Sequence, residues 1–190
     1  MSSNAGVRIL EIQRWQPWAA GFESLPLRGR QEVCHLVVHR IELSQEDPSY
    51  GDTPAELVRF FREHPTGVRA TGGHVPYPIV IDSDGRVTQL LPLGRSSPHA
   101  ARHNPTSIGV ALLGDFRREP PTPSQRRALI DVCRILLADL GGDIAAIVAH
   151  DALSGASHDP DKECPGRHLD LQALQQEVPM APPPAGLFHW

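Results

Sequence analysis

Apolar residues fall into short runs that are separated by polar loops and by stretches with a helical period. The runs are rich in Val and Ile, which fit the half-buried surface of a sheet, and their length predicts buried strands rather than helices. Asp82 to Gly85 splits one run in a way that predicts a hairpin, because Asp and Gly tolerate the positive φ angles of tight turns. The predicted strand regions lie at 34–42, 77–92 (with the hairpin turn inside it), 107–116 and 144–150.

Two helices are predicted from start and stop signals. Thr53, Pro54 and Glu56 form an N-terminal signature, and we expect that helix to continue to Gly67. Thr122 and Pro123 begin the longest helix, which Gly141 and Gly142 end. Its apolar positions recur at helical spacing, namely Ala128, Leu129, Val132, Ile135, Leu136 and Leu140. A further short helical turn is expected beyond Leu171.

Strands that alternate with helices predict an α/β fold, a single domain with a mixed central β-sheet flanked by helices. We divide the chain into an N-terminal arm (1–31) packed on the domain, a main domain (32–175) and a Pro-rich C-terminal tail (176–190). The tail is expected to be loosely held.

Composition excludes several classes of function. The chain has 190 residues, a formal charge of −4, 40% hydrophobic and 21% charged residues. This charge gives no general attraction to nucleic acid or an anionic membrane. No apolar run is long enough for membrane insertion, and the first residues lack the pattern of a secretory signal, so we expect synthesis in the cytoplasm. The three cysteines are too few for a disulfide framework, and no protein partner is evident.

Candidate metal ligands lie in three separate segments. His39 and His150 are near the ends of predicted strands, and Cys164 lies in the polar loop after His150. Two imidazoles and a thiolate form an accepted zinc site that leaves one position open for water. Taken singly, each histidine is an ordinary residue at the edge of a core and Cys164 an ordinary thiol. Together they predict a zinc site.

The motifs resemble, in order, those of the zinc-dependent N-acetylmuramoyl-L-alanine amidases. That family includes phage lysozyme-type amidases and peptidoglycan recognition proteins. The similarity spans roughly residues 34–171. It rests on VVH (37–39), YPIVIDSDG (77–85), PHA (98–100), NPTSIG (104–109), LLGDF (112–116), TPSQ (122–125), AHDAL (149–153) and KECPG (162–166).

The resemblance implies a role for each matching residue. The zinc ligands fall on His39, His150 and Cys164. Tyr77 and Lys162 fall on the catalytic positions, although by default Tyr77 is a strand aromatic and Lys162 a surface lysine. Three further positions are candidates for substrate binding, and each could equally serve only the local structure: His99, Asn104 and Ser107.

Two departures from the family pattern matter. Some relatives place a general-base Glu where this chain has Ala111 and use Asp as the third ligand, so the resemblance favours the subgroup with Tyr and Lys. The general base is then left to zinc-activated water, with Tyr77 or a ring nitrogen taking the proton. Arg40 stands where many relatives have a small or polar residue, and the sequence assigns it no role.

The function that the resemblance implies is hydrolysis of the amide between N-acetylmuramic acid and L-alanine in peptidoglycan or muropeptides. Zn2+ would activate water and polarise the carbonyl. We expect a bacteriolytic, antimicrobial enzyme that acts at the bacterial cell wall after release or delivery: an endolysin, a delivered toxin or an autolysin. Two alternatives are a non-catalytic peptidoglycan sensor, against which Cys164 counts, and a cytoplasmic amidase that recycles cell-wall fragments.

Overall fold

The computed structural model describes residues 11–14, 21–142, 146–153, 163–178 and 186–190. These residues form an α/β domain around a mixed sheet of six strands, as the alternating pattern predicts. The strands are β1 (Ile12–Arg14), β2 (His35–Ile41), β3 (Ile79–Ile81), β4 (Val87–Gln89), β5 (Ser107–Leu113) and β6 (Ile147–Ala149). The helices are α1 (Leu43–Glu46), α2 (Pro54–Glu63), α3 (Pro65–Thr71), α4 (Pro123–Leu140) and α5 (Leu171–Glu177). None of these helices, in the part of the chain described, is long and apolar enough to cross a membrane.

The order of the strands brings the polar ends of β2 and β6 together. The sheet runs β1-β4-β3-β5-β2-β6. Strand β2 pairs in parallel with β5 on one side and with β6 on the other, and β5 pairs in parallel with β3. Strands β3 and β4 form the predicted antiparallel hairpin, closed by a 2.9 Å hydrogen bond from the Gly85 N–H to the Asp82 carbonyl. Because neighbouring parallel strands end at one edge, residues that follow β2 and β6 meet there.

Helices cover both faces of the sheet. Alternate residues of the central strands face opposite sides, so Val38 and Val110 join the core under α4 while Ala111 joins the core under α2. Helix α4 begins as predicted, since the Thr122 hydroxyl accepts from the Gln125 N–H and the Gln125 side chain accepts from the Thr122 N–H, both at 3.1 Å. His39 points to the α2 side by the same alternation.

The prediction that one helix continues to Gly67 is wrong. Helix α2 ends at Glu63, and a second helix begins at Pro65. The residue before a proline is disfavoured in helical conformation, and proline suits the first helical position. Gly67 instead lies inside α3, where a Cβ atom would stand 2.5 Å from the Phe60 carbonyl oxygen. This glycine therefore allows close packing of two helices and does not end one.

Residues 11–14 and 186–190, from the predicted arm and tail, both contribute to the domain. Strand β1 is an edge strand that pairs in parallel with β4, and the absence of a clear period in the arm concealed it. The expectation of a loosely held tail is wrong for residues 186–190. The Phe188 side chain is 3% exposed, and the Leu93 N–H donates to the His189 carbonyl at 2.9 Å.

Candidate metal centre

The three predicted ligands converge at the edge where β2 and β6 end. His39 lies in β2, two residues before its last residue, and His150 directly follows β6 as the first residue of a short 3-10 turn. Cys164 reaches the same place from the loop before α5. The predicted catalytic residue Lys162 lies outside the described residues, as does His158, a histidine that precedes Cys164 by six positions in the sequence.

The geometry of the donor atoms fits a zinc ion. The three ligand atoms lie within 4.8 Å of one another. The His39 Nδ1 and Cys164 Sγ atoms are 3.8 Å apart, and the His39 and His150 rings lie 4.6 Å apart. Tetrahedral zinc holds nitrogen and sulfur ligands roughly 3.5 Å from each other, as its bond lengths require. Two neutral imidazoles and one thiolate also have the chemistry that zinc selects.

Burial keeps the imidazole ligands neutral. His39 is 1% exposed, and its pKa lies well below 6.5 because burial and then the neighbouring His99 and His150 disfavour a charge. Burial also lowers the pKa of His150. In the metal-free protein, burial raises the pKa of Cys164 to about 11, although the nearby Arg40 opposes this. Zinc binding would therefore displace a proton from the thiol.

Tyr77 stands beside the cluster. Its ring centroid is 4.9 Å from that of His39, and its side chain is half-buried. Burial, followed by the charge of the Cys164 thiolate, raises the Tyr77 pKa above its ordinary value of 10. The hydroxyl consequently keeps its proton and can donate a hydrogen bond.

A cleft of about 380 Å³ opens next to these residues. Its lining includes Tyr77, His99 and Cys164. Residues of helices α1, α2 and α3 also line it, among them Phe60, Phe61 and Gly67. A concave site of this volume can hold a small ligand, or part of a larger one, beside the candidate metal cluster.

Several hydrogen bonds hold the Cys164 loop in place. The Arg40 Nε–H donates to the Glu163 carbonyl at 2.9 Å, and the Arg40 guanidinium lies 3.4 Å from the Asp115 carboxylate. The Asp151 N–H donates to the Cys164 carbonyl at 3.0 Å, and the Cys164 N–H donates to the Asp151 carboxylate at 3.3 Å. The loop is thus tied to the ends of β2, β5 and β6.

The residues predicted to bind substrate make contacts within the protein. The Asn104 side-chain oxygen accepts from the N–H groups of His99 and Ala100 at 3.0 and 2.7 Å, so it forms the turn. Ser107 is fully buried and its hydroxyl donates to the His103 carbonyl at 2.6 Å, as its alternative role in the local structure requires. His99 lines the cleft as expected, yet both its ring nitrogens contact protein atoms.

Sequence reasoning missed two supporting residues. Arg28, in the N-terminal arm, is 7% exposed, and its guanidinium donates to the carbonyls of Leu93, Asn104 and Ser107. Burial lowers its pKa to about 10. Asp115 follows β5 and binds Arg40. The LLGDF motif contained a signal for Asp115, whereas nothing near Arg28 in the sequence connects it with the site.

Known proteins resemble this chain in sequence. Residues 29–167, most of the chain, match the family of N-acetylmuramoyl-L-alanine amidases. A peptidoglycan-recognition protein of Drosophila simulans is 33% identical over 95 residues, which are 50% of each chain. The chain therefore spans about half the length of the curated relative.

Solved structures share the fold. The endolysin amidase LysCS from Clostridium intestinale has a TM-score of 0.67 and 22% identity, covering 91% of this chain and 98% of that one. Drosophila PGRP-LB has a TM-score of 0.63 and 20% identity, covering 90% and 95%. A mutant of PGRP-LB in complex with tracheal cytotoxin covers 76% and 81%, with a TM-score of 0.56 and 19% identity. The match over residues 29–167 shows that this chain belongs to the N-acetylmuramoyl-L-alanine amidase family.

Proposed function

We propose that this chain is a zinc amidohydrolase that cleaves the amide between N-acetylmuramic acid and L-alanine in peptidoglycan. The observation that carries the proposal is the cluster of His39, His150 and Cys164, with ligand atoms within 4.8 Å of one another, beside a cleft that Cys164 helps to line. Membership in the amidase family supports the choice of bond. A bound zinc would supply a Lewis acid for the scissile carbonyl and an activated water.

The residues around the cluster would orient the substrate and stabilise charge. The protonated Tyr77 hydroxyl can donate to the carbonyl oxygen as negative charge develops there. We assign Lys162 the same electrostatic role from its place two residues before Cys164 in the motif. Ala111 provides no carboxylate and the Tyr77 hydroxyl keeps its own proton, so a proton from the attacking water would pass through solvent to the leaving amine of L-alanine.

The substrate we propose is peptidoglycan or a muropeptide held along the cleft. Helices α1–α3 line the cleft and would contact a stem peptide held there, and the complex of a PGRP-LB mutant with tracheal cytotoxin supports a related ligand. The corresponding place of action is the bacterial cell wall, reached after release or delivery. A recycling amidase in the cytoplasm would apply the same chemistry to soluble fragments.

A paired measurement on one purified sample tests the proposal. Elemental analysis should give one zinc per chain, and purified peptidoglycan should release free L-alanine amino termini. A chelator should abolish the release, and added zinc should restore it. A sample without bound zinc, and without activity after zinc is added, would contradict the proposal.

A second candidate is a non-catalytic peptidoglycan sensor, which the similarity to the peptidoglycan-recognition protein of Drosophila simulans favours. Such a protein would bind peptidoglycan in a pull-down assay while releasing no amino termini from intact peptidoglycan or from small muropeptides. Release from muropeptides alone would instead indicate a recycling enzyme.

A further inference from the structure

The ring of His99 lies directly behind the proposed ligand His39, on the side away from Cys164. The His39 Nε2 and His99 Nδ1 atoms are 3.0 Å apart, while the His39 Nδ1 atom lies 3.8 Å from the Cys164 Sγ atom. Both nitrogens of His39 are therefore engaged, one toward the proposed zinc site and the other toward His99. Which nitrogen carries the proton decides whether His39 can bind a metal.

The surroundings of His99 determine its tautomer. Its Nε2 atom lies 3.3 Å from the Ser107 carbonyl oxygen, which can only accept a hydrogen bond. Nε2 also lies 3.2 Å from the Ser107 hydroxyl, whose own proton is donated to the His103 carbonyl. Both neighbours therefore require a proton on Nε2 of His99. In the neutral ring, Nδ1 is then an acceptor.

This tautomer of His99 dictates that of His39. Because the His99 Nδ1 atom accepts, the His39 Nε2 atom must donate, and the lone pair of His39 then lies on Nδ1. Nδ1 is the nitrogen that faces Cys164. Ligand histidines commonly donate their second N–H to a carboxylate or carbonyl, which orients the ring and fixes its tautomer. Here a neutral imidazole occupies that position.

Gly109 makes room for this arrangement. It lies in β5, two residues after Ser107, and a Cβ atom there would stand 2.9 Å from the Cγ and Nδ1 atoms of His99. Contacts this short would displace the ring. The SIG motif thus supplies both the carbonyl that orients His99 and the space that its ring occupies.

We propose that His99 is a positioning residue of the metal centre: it accepts the hydrogen bond of His39 Nε2–H and so holds the His39 Nδ1 lone pair toward Cys164 and His150. The inference rests on the proposed zinc site and deepens it. His99 itself is not a ligand and does not touch the reacting atoms.

The test compares His99→Leu, His99→Asn and Gly109→Ala, with His168→Leu as a control at an exposed histidine. Leucine removes the hydrogen-bond acceptor of His99. Asparagine replaces it, because the Asn Oδ1 atom is an acceptor that stands as many bonds from Cα as the His Nδ1 atom. Zinc affinity, measured by competition with a chromophoric chelator, should fall about 10- to 100-fold in His99→Leu, in the range found when a residue that hydrogen-bonds to a metal ligand is replaced. It should fall less in Gly109→Ala and stay within about threefold of wild type in His99→Asn and in the control.

A second readout needs neither zinc nor activity. Nitrogen-15 NMR of the metal-free wild type should show His39 protonated on Nε2 and unprotonated on Nδ1, and this pattern should be lost in His99→Leu. A wild-type His39 protonated on Nδ1, or a His99→Leu protein with wild-type zinc affinity, would overturn the inference. The NMR result does not depend on turnover, so an inactive wild type would refute the proposed hydrolysis separately.

Discussion

At the scale of single residues, burial decides which chemical form a side chain takes and which groups it can bind. Asn104 and Ser107, two polar residues that the sequence suggested for substrate binding, form hydrogen bonds inside the protein instead. His39 and Cys164 are ordinary residue types whose place beside each other makes them candidate ligands, since neutral imidazole and thiolate are the forms that zinc binds. The side chain with the clearest opportunity to meet a substrate is Tyr77, which lines the cleft.

Replacement of Cys164 by Ser should remove most bound zinc and abolish amide hydrolysis, because a serine hydroxyl is a far poorer zinc ligand than a thiolate. The matched control is Cys34→Ser, which changes an exposed cysteine and should keep the metal and the activity. Elemental analysis and the amino-terminus assay measure both. If Cys164→Ser retained zinc and activity, the ligand assignment would be wrong and His158 would be the next candidate.

Replacement of Tyr77 by Phe should leave zinc bound and lower kcat on the order of 100-fold, the cost of one donor to a developing oxyanion. The chain's other tyrosine, Tyr50, lies buried against Phe60 and provides the control variant Tyr50→Phe. Steady-state kinetics on a soluble muropeptide would separate kcat from KM. Unchanged kcat in Tyr77→Phe would exclude this role for the hydroxyl.

At the scale of elements, the site depends on how the loop before α5 is fastened to the sheet. Arg40, which the sequence left without a role, holds the Glu163 carbonyl next to Cys164 and is itself held by Asp115. Asp115 also accepts from Arg117 at 2.7 Å and lies 3.2 Å from Arg118. One carboxylate at the end of β5 therefore organises the loop that carries a ligand.

Replacement of Arg40 by Met should weaken zinc binding about tenfold, in the range found for residues that orient ligands. Methionine keeps part of the apolar stem but cannot donate to the Glu163 carbonyl. Arg118→Met is the control, since the Arg118 side chain is 70% exposed and pairs with the Asp115 Oδ2 atom, whereas Arg40 pairs with Oδ1. Chelator competition measures both variants, and an equal loss in the two would contradict the role of Arg40.

Asp115 also predicts a dependence of stability on pH. A hydrogen bond from Arg117 lowers the Asp115 pKa from 3.8 to about 2. Because the folded pKa is depressed, the stabilisation is complete above pH 3.8 and is lost as the pH falls toward 2. Denaturant unfolding from mildly acidic pH down to that value should therefore show a shallower acid slope in Asp115→Asn than in wild type. Identical slopes would show that the ion pairs contribute nothing to folding.

At the scale of the whole molecule, segments distant in sequence complete the domain. Strand β1 extends the sheet at the edge of β4, and Phe188 fills the core beneath α4. The side chain of Gln89, fully buried in β4, donates to the His189 carbonyl at 2.7 Å and accepts from the His189 N–H at 2.9 Å. The last residues thus contribute to the core, on the face opposite His39.

Replacement of Phe188 by Ala should lower the free energy of unfolding by roughly 3 kcal/mol, because it removes a ring that is 3% exposed. Zinc affinity should remain that of wild type, since the ring packs on the other face of the sheet. Leu27→Ala, at a side chain that is 77% exposed, is the control and should change neither quantity. A loss of zinc affinity in Phe188→Ala would show that the two faces are coupled.

The sequence alone determined the strands from β2 onward and the capped helix α4, and it named the three residues that the structure brings together as candidate metal ligands. Those features depend on local patterns: β-branched runs, cap residues and an ordered set of short motifs. The tertiary structure decided that Gly67 lies inside a helix, that β1 and Phe188 belong to the domain, and that Ser107 faces inward. It also showed which groups Arg28, Arg40 and His99 contact around the candidate site. Each of these depends on contacts between residues far apart in the chain, such as the 3.0 Å contact between His39 Nε2 and His99 Nδ1. A local sequence pattern contains no information about such contacts.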